Sequence, residues 1–158
     1  MSNLRSARGA QYPLFAEFTF DLSADSMPTV VGNVIGGAAA AYNAAGVSLG
    51  QVGTDIFDII GLPPGATVVG GEVVVETAVV GPTAATISVG DANSATRYAN
   101  AVSMLSAART ALTLTGYRGT GENIRMTLNR TVAAATAGKV TVRVGYTVQY
   151  RQQEVQVA

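Results

Sequence analysis

The chain has 158 residues, of which 13% are charged and 48% hydrophobic, and it contains no histidine, cysteine or tryptophan. Without histidine or cysteine it cannot build a Ser-His-Asp or Cys-His nucleophilic centre, nor a zinc site of the usual nitrogen and sulfur ligands. Ten basic residues balance ten acidic ones, so no net field draws the chain to nucleic acid.

Residues 1–11 hold Arg5 and Arg8, several small polar side chains and no acid, and no apolar run precedes Pro13. They lack the form of a secretory signal. They read as a flexible arm, which is either a frayed terminus or a segment that orders in an acidic or polar groove of a neighbour. Residues 12–158 read as one domain, large enough to hold its own core. Charge is so scarce that part of the surface is expected to be covered by neighbours, which points to a homo-oligomer, dimer or trimer.

After the arm, YPLFAEFTFDL alternates: Leu14, Ala16, Phe18, Phe20 and Leu22 share one face, and Glu17, Thr19 and Asp21 share the other. That is a half-buried strand. Residues 28–54 are uncharged up to Thr54 and include the pair Gly32 and Gly36. A membrane span needs about twenty strongly apolar residues, whereas this stretch is glycine-rich and short of leucine, so it reads as a Val-rich strand followed by a small-residue segment against another surface. DIFDIIGLPPGATVVGGEVVVETAVVGP follows as strand, turn, strand, turn, with Pro63 and Pro64 fixing φ and Gly65 free to turn positive. In its second strand Val73, Val75, Thr77 and Val79 are expected on one face, and Glu72, Val74 and Glu76 on the other.

TAATISVGD is a short strand, and NSATRYANAVSMLSAAR lacks a clean period and reads as an irregular excursion. TALTLTG is expected as a strand with Leu112 and Leu114 on one face, and ENIRMTLNRTV as one with Ile124, Met126 and Leu128 inward. The last strand is the most regular. Val140, Val142, Val144, Tyr146, Val148 and Tyr150 alternate with Thr141, Arg143, Gly145, Thr147, Gln149 and Arg151. On this reading an Asp at Val142 is fatal, and one at Thr141 is tolerated unless that face is an interface.

The chemistry that remains is thin. Glu72 with Glu76, or Asp55 with Asp58, is a formal acid/base pair of the glycosidase kind, but carboxylates on the polar face of a strand ordinarily keep that face wet. Gly138 and Lys139 echo a phosphate loop, yet Ala133 and Val140 stand where that motif needs glycine and a hydroxyl. Asp91 and Asn93 suggest a calcium loop, but Ala95 replaces the third ligand. Asn129, Arg130 and Thr131 form a glycosylation triplet inside a strand and are treated as coincidence. No catalytic residue, metal or cofactor is expected.

About eight strands, spaced by turns and with little helix, are the form of an antiparallel β-sandwich, and a jelly roll fits the count. The order of FDIIGLPPGATVVGGEVVVETA, TISVGD, RYANAV, TALTLTG and NIRMTLNRTVAAATAGKVTVRVGYTV resembles the capsid decoration, or cement, proteins of tailed bacteriophages, over residues 55–150. The resemblance implies a structural virion protein, made in the bacterial host cytoplasm and bound to the capsid surface. There it would bridge neighbouring major capsid proteins as a homo-oligomer, with Arg5 and Arg8 on an arm that contacts the shell. It brings no catalytic residues, so no enzyme is expected, while charge balance and the glycine-rich composition already speak against a nucleic-acid partner and a membrane span. Another virion part of the same fold, such as a head-fibre base, tail or baseplate domain, is a different reading, and a carbohydrate-binding module is a third. The third is disfavoured by the lack of tryptophan and by the inward placement expected for most Tyr and Phe.

Overall fold

The computed structural model describes residues 13–21, 34–37, 53–133 and 135–148. Among them are nine strands: β1 (Leu14–Asp21), β2 (Val34–Gly37), β3 (Gly53–Ile60), β4 (Ala66–Val80), β5 (Ala84–Gly90), β6 (Ala99–Ser103), β7 (Ala108–Ala111), β8 (Ile124–Thr131) and β9 (Ala137–Val148). All pairings are antiparallel. They form a four-stranded sheet of order β1-β9-β4-β7 and a five-stranded sheet of order β2-β3-β8-β5-β6.

The pairs β1·β9, β3·β8, β4·β7 and β5·β6 nest inside one another like one long hairpin rolled up, while β9·β4 and β8·β5 join them within the sheets. That nesting is the jelly-roll order, with β2 added at the edge beside β3. Among the described residues there is no helix, and hence none long and apolar enough to cross a membrane. The arm residues Arg5 and Arg8, most of the uncharged stretch including Gly32, and Leu22, Tyr150 and Arg151 lie outside the described residues.

The two sheets close on a core whose members follow the period of two. From the first sheet come Phe20, Val73, Val75, Val140, Val142 and Val144, and from the second Ile87, Val89, Ile124, Met126 and Leu128, all buried. The turn between β3 and β4 has the expected chemistry: Gly65 sits at φ 80°, and Ala66 N donates to Pro63 O at 3.1 Å. This is a four-residue turn whose third position requires a positive φ.

The structure corrects four expectations. The excursion after Asn93 contains β6, whose Ala99–Ser103 backbone pairs with β5. Its alanines gave no sequence signal because an edge strand needs only backbone to pair. The strand assigned to TALTLTG lies earlier, at Ala108–Ala111. Past Ala111 the chain crosses between the sheets, since Leu112 N donates to Gly71 O and Thr113 N to Tyr98 O. Leu112 is therefore buried and Leu114 exposed. Thr77 is exposed, unlike Val75 and Val79, because the register of β4 against β9 shifts on both sides of it. Thr141, placed on the wet face by its phase, is buried.

Candidate interface surfaces

The residues singled out for chemistry are committed to one another. Asp55 and Asp58, three apart on β3, point to opposite faces and form no acid/base pair. Asp55 is buried and ion-paired with the buried Arg130 of β8. Burial raises its pKa, and the nearby Arg130 charge works in the opposite direction. Asp58 accepts from Arg125 Nε at 3.0 Å and Asn123 Nδ2 at 3.3 Å. Arg130 escaped the sequence reading, although its phase was legible: it continues the inward series Ile124, Met126, Leu128. Asn129, the triplet's first residue, is exposed on β8 beside it.

One end of the sandwich gathers the loops at 61–65, 91–98 and 112–123 into a polar lattice. Asp91 is buried and pairs with Arg97, and its Oδ1 also accepts from the backbone of Asn93 and Ser94, each at 2.9 Å. A carboxylate so engaged closes a turn and does not await calcium. Arg97 stacks 3.6 Å over the Tyr117 ring, and Tyr117 donates to Glu122 Oε1 at 3.1 Å. Glu122 also accepts from Thr120 Oγ1 at 2.8 Å, Thr120 N at 2.6 Å and Asn93 Nδ2 at 3.0 Å. The Thr120 hydroxyl first, then the backbone N–H groups of Glu122 and Thr120 and the Tyr117 hydroxyl hold its carboxyl down at about 2. Beneath the lattice, burial pushes the Tyr98 phenol up to about 12.

At the opposite end the described loop residues carry no charge. The loops at 81–83, 104–107 and 132–133 with 135–136 are tied together by Thr83 N to Thr131 O, Thr136 N to Val80 O and Val79 N to Met104 O. Val80, Leu105 and Val132 are exposed there. Val132 sits at φ 74° in a three-residue turn closed by Ala133 N to Thr131 O at 2.9 Å, a strained backbone for a β-branched side chain.

The third surface is the outer face of the β1-β9-β4-β7 sheet. Arg143 at its centre donates from Nε to Glu17 at 3.1 Å and from a terminal nitrogen to Glu72 at 3.2 Å. Arg109 of β7 reaches the same Glu72 at 3.1 Å. One row over, Thr141 bonds Thr19 and Glu76, each at 2.8 Å. Glu76 is held below the usual carboxylate range by Lys139 first and then by Thr141. Lys139 closes that row, 2.7 Å from Glu76. It is a strand residue in an ion pair, and the backbone of Gly138 beside it lies too close to Val79 for any side chain, so the phosphate-loop echo has no counterpart in the fold. Glu72 and Glu76 are thus rungs of a cross-strand ladder.

On the same face Phe15 is 80% exposed. It borders a shallow hollow of about 260 Å³ that Ala16, Glu17 and Arg143 also line. Phe15 departs from the inward placement expected of the aromatics, which Phe20, Phe57 and Tyr98 follow. Its phase, with Glu17 and Thr19, was the available signal.

No family model matches the chain, and no curated protein matches it. Among solved structures, a chain of the cyanophage Pam1 capsid asymmetric unit superimposes with a TM-score of 0.54 at 21% identity, over 94% of this chain and 99% of that one. At that identity the likeness speaks for the fold, and it runs nearly the full length of both chains.

Proposed function

We propose that this chain is a structural virion protein that binds the outer surface of a bacteriophage capsid and stabilises it by bridging neighbouring major capsid proteins, as a homo-oligomer. The observation that carries this reading is the end-to-end likeness to one chain of a cyanophage capsid asymmetric unit. The likeness runs through almost all of both chains, so it concerns the sandwich as a whole and not one hairpin of it.

The distribution of charge supports the same role. The carboxylates of β3, β4 and the 91–122 loops are engaged in ion pairs and turns, which stiffen a body that must hold its neighbours in place. The uncharged end with Val80, Leu105 and Val132 offers apolar area of the kind that stabilises contacts by about 25 cal/mol per Å² and is insensitive to salt. Arg5 and Arg8 on the arm would extend the contact along an adjacent subunit.

The test is to mix the purified chain with capsids that lack it, sediment the particles in low and high salt, and heat them. Saturable co-sedimentation that survives high salt, with a raised temperature of DNA release, is expected. Failure of the full-length chain to bind any shell refutes the proposal.

A further inference from the structure

The outer face of the β1-β9-β4-β7 sheet is complementary to itself. Across its four strands the charges alternate as Glu17, Arg143, Glu72 and Arg109, each joined to the next by an ion pair; the first three share one register row, and Arg109, opposite Val74, reaches diagonally to Glu72. An alternating row with an even number of members, turned about a two-fold axis that runs along the strands between β9 and β4, meets its own reverse. Arg143 then faces Glu72 of a second copy, and Glu17 faces the second copy's β7, whose Arg109 side chain extends toward that row. A row of odd number would set like on like. Opposite charges across the whole row favour a second copy of this chain over an arbitrary neighbour.

The row beside it fits the same axis. Gly145 of β9 pairs with Gly70 of β4 and with Phe15 of β1. Around Gly70 an added Cβ would meet nothing within 4 Å, and at Gly145 it would meet the Phe15 ring at 3.0 Å. The floor of this row is bare backbone at Gly70 and carries the Phe15 ring over Gly145, so a second copy can approach closely at Gly70. β7 pairs only with Glu72, Val73, Val74 and Val75. Gly70 and Val69, the latter exposed at the bulge, therefore lie beyond its cover. Under the two-fold axis the β1 edge of one copy lies over the β7 side of the other, which brings Phe15 to that uncovered stretch.

We propose that two copies of this chain pack through this face about a two-fold axis, each Phe15 ring lying against Val69 and Gly70 of the other. The proposal deepens the homo-oligomer of the preceding reading by naming its surface, and it is tested apart from shell binding. The chain contains no cysteine, so single introduced thiols report proximity without background. Full-length Phe15→Cys and Val69→Cys proteins, mixed and mildly oxidised, should give a covalent heterodimer in clear excess over Phe15→Cys mixed with Leu114→Cys, whose site is exposed but lies among the polar-end loops. Phe15→Asp, at an exposed position, should keep the melting temperature while weakening self-association in sedimentation by about tenfold or more, the loss usual for a central aromatic anchor. A chain that stays monomeric at all concentrations, a dimer indifferent to Phe15→Asp, or equal yields from the 69 and 114 thiols would overturn the surface. If shells bind a chain that is monomeric, this surface falls and the shell reading stands. If a Phe15-dependent dimer binds no shell, the reverse holds.

Discussion

Val142 and Thr141 are neighbours with opposite phases, and both are buried. Val142 lies in the core between the sheets. An aspartate there buries a charge with no partner at a cost of several kcal/mol, against a total stability of about 5–15 kcal/mol for most domains, so Val142→Asp should not fold. Thr141→Asp, harmless on phase alone, should also be damaging, since it sets a second carboxylate beside Glu76 and removes the hydroxyl shared with Thr19. Soluble Thr141→Asp with an unchanged urea midpoint would contradict the ladder. Glu122 gives a pH test. Its folded pKa of about 2 lies below the ordinary 4.5, so its stabilisation is complete above about 4.5 and is lost as pH falls toward 2. Melting curves of Glu122→Gln should be flatter than those of the parent through that window, and parallel profiles would remove Glu122 from the lattice. The sequence disclosed the phase of such residues but not their neighbours. Arg130 and Asp55 stood in inward phase on β8 and β3, yet only the pairing of those strands brings them together.

At the scale of elements, long alternating runs were legible because period two is written residue by residue. β8 begins and ends close to where its pattern does, and β9 keeps its inward valines. The short strands β6 and β7 were not legible: their alanines carry no periodic signal, and what fixes them is a backbone partner distant in sequence. The bulges of β4 were equally hidden, although its glycines mark one of them. Gly71 sits at φ 143°, and a Cβ on it would lie 2.3 Å from Arg143 O. Gly71→Ala should therefore disrupt the β4–β9 pairing and cost at least about 1–3 kcal/mol. Gly61→Ala, where a Cβ would meet only Asn123 at 3.6 Å, should stay within about 0.5 kcal/mol of the parent. Equal denaturation midpoints for the two variants would mean that the β4 register is wrong.

For the whole molecule, the jelly-roll order follows from which strands nest. The sequence suggested it by strand count and resemblance, while the nesting itself depends on long-range pairs such as Leu14 with Tyr146. The polar end, the uncharged end and the self-complementary face could not be read from the chain, because each collects residues from three or more separate segments. The proposed function rests at this scale on a shared fold and on where charge is absent among the described residues. The arm gives a separable prediction: removing residues 1–10 should leave the melting temperature nearly unchanged, since they precede the first described strand, while lowering occupancy on shells that lack the protein. Equal occupancy of the truncated and full-length chains would take Arg5 and Arg8 out of the contact.

A reconstruction of particles carrying this chain tests the central claim most directly. The account predicts density for the nine-stranded sandwich on the outer surface of the capsid, seated across the joints between neighbouring major capsid proteins. Density confined to a tail, baseplate or fibre, or seated on a single subunit without reaching its neighbour, would contradict it.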